Sequence, residues 1–290
     1  MKHTWVVTTS LVVLFLVAQL VGLGITQAYV DKAATEETGE LAWKELPSIA
    51  GVKMERPDVE PQVSLWYILF AVIIGTILIL LIIRMGKTFL WKAWFFFAIA
   101  LCLQIALGAF LPALPALLLA ILGASLKVFR PNIYVHNLTE IFIYGGLAVI
   151  FVPILTPLYA FGLLIALSLY DMYAVWHSKH MVTMAKFQTE SGIFAGLLLP
   201  YKLPKGAKTK KVKKKPIKTA VLGGGDIGFP LIFAGTVLVA FGFLQAVIIA
   251  LGAALSLALL LIYSKKDRFY PAMPFLTAGC VLGYAVMLLL

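Results

Sequence analysis

Two aspartates, Asp171 and Asp226, stand well inside long apolar runs of this 290-residue chain. Eight of the 13 acidic residues cluster between 30 and 64. Glu190 and Asp267 lie in polar connectors, and Glu140 lies near the start of an apolar run. A carboxylate in hydrocarbon is expensive unless it is paired, protonated or hydrated, so residues of this kind mark function by default. Two carboxylates that share one proton supply an acid and a base at one point, which activates water for attack on a peptide carbonyl. The same pair also suits a hydrogen bond between helices, or a proton or cation site in a transporter.

The surroundings of Asp226 read Gly223-Gly224-Gly225-Asp226-Ile227-Gly228-Phe229-Pro230. Three consecutive glycines weaken a helix and let another backbone approach. Pro230, four residues on, has no N–H to give the Asp226 carbonyl. A loosened helix start suits a protease in the bilayer, because a helical peptide bond must be unwound before it is cut. Gly224 and Gly228 also form a small-xxx-small packing face, and spacing alone leaves the two readings level. A second proline-rich segment, Tyr270-Pro271-Ala272-Met273-Pro274, opens the last apolar run. Proline near a helix start is ordinary, so its position carries more weight than its composition.

The elements that must hold these residues follow from composition. The chain is 62% hydrophobic and 13% charged, against about 25% charged in soluble domains. Its solvent is therefore lipid, and α-helices satisfy the backbone there. Nine apolar runs are legible, at about 5–29, 65–83, 89–110, 111–126, 136–155, 156–176, 219–241, 242–263 and 269–290. The expected fold is an all-α polytopic membrane protein with nine transmembrane helices and one membrane-embedded domain. Residues 1–176 hold helices one to six with an acidic outer loop at about 30–64, residues 177–218 form a lysine-rich cytoplasmic connector, and residues 219–290 hold helices seven to nine. The first run also has signal-peptide features, with Lys2 ahead of it and Thr26-Gln27-Ala28 as a cleavage site. Its apolar stretch is long for a signal peptide, which favours a retained helix. Trp5, Trp66, Trp91, Trp94 and Trp176 sit near run ends, as an aromatic belt requires.

Alternating the nine spans puts 20 Lys and Arg on one side and four on the other. The positive-inside rule then sets the N-terminus in the cytoplasm and the C-terminus outside. Asp171 lies six residues before His177, and Asp226 eight after Lys218. As helix, these separations put the carboxylates about 9 Å and about 12 Å below the cytoplasmic face. The ninth span enters at the same level.

The net charge of +11 does not indicate nucleic-acid binding, because 11 of the 24 basic residues fall between 177 and 218. A cytoplasmic loop facing anionic lipid accounts for them. Cys102 and Cys280 form no disulfide framework or metal motif. HExxH and GxSxG are absent, and no metal or cofactor is expected. His177 and His180 read as solvated interfacial side chains, and 205–218 as a flexible loop.

Together these residues resemble the presenilin and signal peptide peptidase family of intramembrane aspartyl proteases. That family carries Tyr-Asp in its sixth span, Gly-x-Gly-Asp in its seventh and Pro-Ala-Leu at the start of its ninth. Tyr170-Asp171 and Gly223-Gly224-Gly225-Asp226 match, and Pro271-Ala272-Met273 matches with Met for Leu. The length and short N-terminal segment resemble the compact microbial, archaeal-type presenilin homologues, and the inward N-terminus resembles presenilin rather than signal peptide peptidase. The resemblance implies an aspartic-type endopeptidase, Asp171 and Asp226 as its catalytic dyad, and Pro271, Ala272 and Met273 as site-shaping and substrate-contacting residues. Tyr170 follows as a motif neighbour. It further implies a multi-pass cell-membrane location and single-span membrane proteins or signal-peptide-like segments as substrates, with homo-oligomerisation compatible. Presenilins are cut in the connector corresponding to 177–218. The competing readings are a secondary transporter or ion channel, weakened by the lack of an internal repeat, and a prepilin-type aspartyl peptidase, in which a ninth-span Pro-Ala-Met is not expected.

Overall fold

A computed structural model describes residues 4–48, 53–178, 180–201, 219–265 and 270–290. The lysine run at 205–218 lies outside the described residues. Among the described residues, eleven α-helices follow in order: α1 (Trp5–Ala28), α2 (Lys32–Thr38), α3 (Pro61–Met85), α4 (Thr88–Gly108), α5 (Ala113–Phe129), α6 (Ile133–Phe151), α7 (Pro157–Met172), α8 (His180–Glu190), α9 (Gly224–Phe241), α10 (Phe243–Tyr263) and α11 (Met273–Leu289). Among the described residues, seven of these helices are long and apolar enough to cross a membrane, and α5 and α11 are shorter apolar helices. Each of the nine runs read from the sequence thus contains one apolar helix. Prolines set several starts: Pro61 and Pro157 are first residues of their helices, where a missing N–H has no partner to lose.

Two small antiparallel sheets interrupt the helices. Strands β1 (Val30–Asp31) and β2 (Ala42–Trp43) pair in the first connector. Strands β3 (Gly196–Pro200) and β4 (Thr219–Gly223) pair from Gly196↔Gly223 to Pro200↔Thr219. Residues 177–218 include α8 and β3. The second sheet corrects one expectation. Residues 219–223 are strand, not the start of the seventh long helix. Gly223 is extended at φ −64° and ψ 149°, and helix begins only at Gly224. Poor helix formers and an available partner strand favour extension there. The equal-depth arithmetic therefore fails for Asp226, because a strand rises about 3.3 Å per residue rather than about 1.5 Å.

The core centres on α9, whose residues from Pro230 to Leu238 are all buried. Helices α1, α6, α7, α10 and α11 surround it. Helix α1 is part of this core: Leu11, Phe15, Ala18 and Leu23 pack in the same cluster as Leu231, Val237 and Ile249. Helix α3 is peripheral, with only Ser64 and Ile68 buried, and touches α7, α4 and α8.

Candidate active site

Asp171 is the penultimate residue of α7, next to a π-helical turn at Tyr173–His177. Such turns are frequent at functional sites. Its side chain is 4% exposed. The Asp171 Oδ2 accepts a hydrogen bond from the Met273 amide at 3.1 Å, and the Ala272 amide also donates to this carboxylate. Backbone accounting shows why these two amides are available. Ala272 is the N-cap of α11, Pro274 has no N–H, and the Phe275 amide already bonds the Ala272 carbonyl. Asp171 thus satisfies donors that a helix start leaves open, and sits where the helix dipole favours a negative charge. Pro271 is buried just ahead of them.

Asp226 lies in the first turn of α9, directly after the β4 strand. The Gly223 amide hydrogen-bonds its carboxylate. Both aspartates line one mostly apolar cavity of about 630 Å³, together with Tyr170, Gly223, Gly224, Gly225, Ala272 and Met273. Of the residues that the resemblance assigns to the site, Pro271 is the one that does not line this cavity.

The three glycines separate into distinct roles. A Cβ at Gly224 would lie 2.9 Å from the Tyr144 hydroxyl, and one at Gly228 3.6 Å from the same ring, so this pair is a packing face for Tyr144 of α6. Gly225 is exposed toward the cavity, and a Cβ there would meet only the Phe229 ring of its own helix, at 3.4 Å. The amide of Gly224 also donates to the Ala195 carbonyl at 3.0 Å, closing the end of the β3–β4 sheet.

Several polar residues at the site escaped the sequence reading. Lys127 and Glu140 form an ion pair with side chains 1% and 2% exposed, and the Tyr144 hydroxyl donates to the same Glu140 carboxylate. The signal was present in principle, as a lone acid in one apolar run facing a lysine 13 residues upstream. Gln19 of α1 is fully buried and donates to the Ile227 carbonyl at 2.9 Å, bracing the turn that carries Asp226. His180 is not a freely solvated residue. Its Nε2 lies 3.0 Å from the Tyr170 hydroxyl, which donates to Thr76 of α3 at 3.2 Å. Burial pushes the His180 imidazole below the usual histidine range.

Chemically, the arrangement offers one carboxylate held by two amides and another held by one, both opening onto an apolar cavity large enough for a peptide segment. A family model described as signal-peptide peptidase, presenilin aspartyl protease matches residues 41–290. The chain belongs to that family: it is an aspartic-type intramembrane endopeptidase, a hydrolase. One solved structure, of a presenilin family intramembrane aspartate protease in space group P2, matches with a TM-score of 0.64 at 20% identity, over 97% of this chain and 96% of the other. A second, of a presenilin family intramembrane aspartate protease in space group C222, matches with a TM-score of 0.63 at 20% identity, over 97% and 98%. At that identity the likeness establishes a shared fold. No curated protein matches the chain.

Proposed function

We propose that Asp171 and Asp226 are the catalytic dyad of this protease and that it hydrolyses peptide bonds of transmembrane segments. The observation that carries the reading is that both carboxylates line one apolar cavity, each ligated by backbone amides from a motif segment. Asp171 accepts hydrogen bonds from two backbone amides and Asp226 from one, so in this reading Asp171 acts as the base and Asp226 carries the proton. Asp171 takes a proton from water, the water oxygen bonds to the scissile carbonyl carbon, and Asp226 gives its proton to the carbonyl oxygen. Collapse of the tetrahedral species breaks the C–N bond as the amide nitrogen takes the proton from Asp171, while one hydroxyl of the gem-diol gives its proton to Asp226 and becomes the carbonyl of the new carboxyl group. The dyad then returns to its singly protonated state.

The substrate must present extended backbone, and lipid offers that backbone no partners. Strand β4 does. The outer edge of β3 bonds elsewhere through Leu198, so Leu198↔Val221 is a pair that exchanges no bonds within the sheet. The Val221 N–H and C=O therefore point to the edge from which the Gly223 amide reaches Asp226. A substrate strand added there lies beside the dyad.

The 20-to-four division of basic residues supports nine spans with the N-terminus in the cytoplasm and the C-terminus outside, in the cell membrane. Single-span proteins and signal-peptide-like segments are the substrates of this reading, which has room for a homo-oligomer. Family membership does not favour the transporter, channel or prepilin-type readings. The test is incubation of purified protein in detergent with a single-span substrate. Wild type should release two fragments and Asp226→Ala none; fragments from Asp226→Ala would reject the dyad.

A further inference from the structure

The edge of β3 away from β4 is closed, and the closing group is a side chain. Asn137 of α6 donates its Nδ2 to the Leu198 carbonyl at 2.8 Å, and its Oδ1 accepts from the Leu198 amide at 3.0 Å. A carboxamide presents an N–H and a C=O side by side, as a neighbouring strand would. Two residues along the same edge, His136 Nε2 lies 2.7 Å from the Gly196 carbonyl. The edge of β3 that faces α6 is thus occupied without a third strand.

A sheet of two short strands is marginal by itself and takes its position from what it packs against. Here Leu197 and Leu222 are buried on one face, which resists rotation but does little against sliding. The two directional bonds to Leu198 fix the position along the strand. Asn137 sits on the same helix as Glu140 and Tyr144, at i, i+3 and i+7, so the three share a face. Tyr144 abuts Gly224 beside Asp226, and Asn137 grips Leu198 across from Val221. Helix α6 therefore sets the distance between the docking edge and the turn that carries Asp226.

We propose that Asn137 is a specificity-determining positioning residue: by taking the place of a third strand on β3, it fixes which substrate peptide bond lies against Asp171 and Asp226. The inference rests on the reading that substrate pairs with β4. Loss of the grip lets the sheet slip relative to the dyad, and a slip of the sheet moves the cut along the substrate.

The test is mass spectrometry of the fragments released from one single-span substrate, with thermal stability measured on the same samples. Wild type should cut mainly at one bond. Asn137→Ala should spread cleavage to bonds one or two residues away, lowering the ratio of main to neighbouring product by at least about fivefold, since two hydrogen bonds are lost and one ordinary bond is worth about that factor. If Asn137→Ala does not fold, Asn137→Asp decides the matter, because it keeps the acceptor for the Leu198 amide and loses the donor to its carbonyl. An unchanged product pattern, with rate falling only as folded protein falls, overturns the proposal. Val221→Pro, which removes the Val221 N–H from the β4 edge, separates the two levels. Undiminished cleavage by Val221→Pro overturns strand docking and this proposal with it. Loss of cleavage there, beside an unchanged pattern in a folded Asn137 variant, overturns this proposal alone.

Discussion

Gly224→Ala and Gly225→Ala differ by one position, and only the first should disturb the fold. A Cβ at Gly224 falls 2.9 Å from the Tyr144 hydroxyl, 3.3 Å from its Cε1 and 3.4 Å from the Ala195 carbonyl. Tyr144 cannot swing away, since its hydroxyl is held by Glu140, which is held by Lys127, all buried. Overpacking of this kind costs about 1–3 kcal/mol. The better helix preference of Ala returns at most about 1 kcal/mol, leaving a net loss of about 1–2 kcal/mol. The part displaced is the turn that carries Asp226. Misplacement by about 1 Å can cost about 100-fold in rate, so a few tenths of an ångström should cost several-fold in turnover beyond the loss of folded protein. Tyr144→Phe removes the obstructing oxygen. The double variant should therefore be more stable than the two singles imply, with a coupling of about 1 kcal/mol. Gly225→Ala meets only Phe229, at 3.4 and 3.6 Å, and should leave the fold intact. Thermal unfolding and turnover, measured on the same detergent samples, decide it. Additive single and double variants, or equal damage from both alanines, would refute the packing role assigned to Gly224.

Gly225→Val should impair turnover more than stability, because its added methyls project into the cavity where Gly225 is exposed. Pro271→Ala should do the same by letting α11 extend, which diverts the Met273 amide from Asp171; equal losses of activity and folded protein in both would make these residues packing elements only. Lys127→Met leaves the Glu140 carboxylate buried and unpaired and should cost about 3–5 kcal/mol. Adding Glu140→Gln should restore much of that stability, and no recovery in a melting measurement would show that the pair is not a unit. In a rate–pH profile, activity should fall on the alkaline side as the dyad loses its one proton. On the acid side, burial depresses the folded value of His180, so the fold favours its neutral form. Its contribution to holding α8 is present above the ordinary histidine value of about 6.5 and is lost as pH falls through the lower folded value. Hydrogen exchange in α8 should rise with acidification in wild type, and an equal rise in His180→Phe would remove His180 as the cause.

What was legible in the sequence was what conflicts with its setting. Asp171 and Asp226 stood out because lipid penalises carboxylates, and the apolar runs stood out because nothing else explains so few charges. Pro271-Ala272-Met273 was visible as a motif, but its use was not. That Ala272 and Met273 offer the free amides of a helix start to Asp171 needs the fold to bring residues 102 apart in sequence together. Lys127 and Glu140 were hidden by lying near run ends, where charges are ordinarily solvated. Strand β4 was hidden because Thr-Ala-Val-Leu is apolar in either conformation and its partner strand lies beyond a long connector. Gly224 and Gly225 are identical as letters, and only Tyr144 on one side and the open cavity on the other tell them apart. Asn137 carries no periodic or motif signal, since its role depends wholly on the strand edge it meets.

The most direct measurement is cleavage of one single-span substrate by Asp171→Asn and Asp226→Asn, each purified and shown to melt as the wild type does. An amide is close in shape to the carboxyl group but can act neither as the acid nor as the base. Wild type should yield two fragments, and each variant should yield none while remaining folded. Fragments at the wild-type bond from either folded variant would contradict the assignment of that aspartate to the dyad.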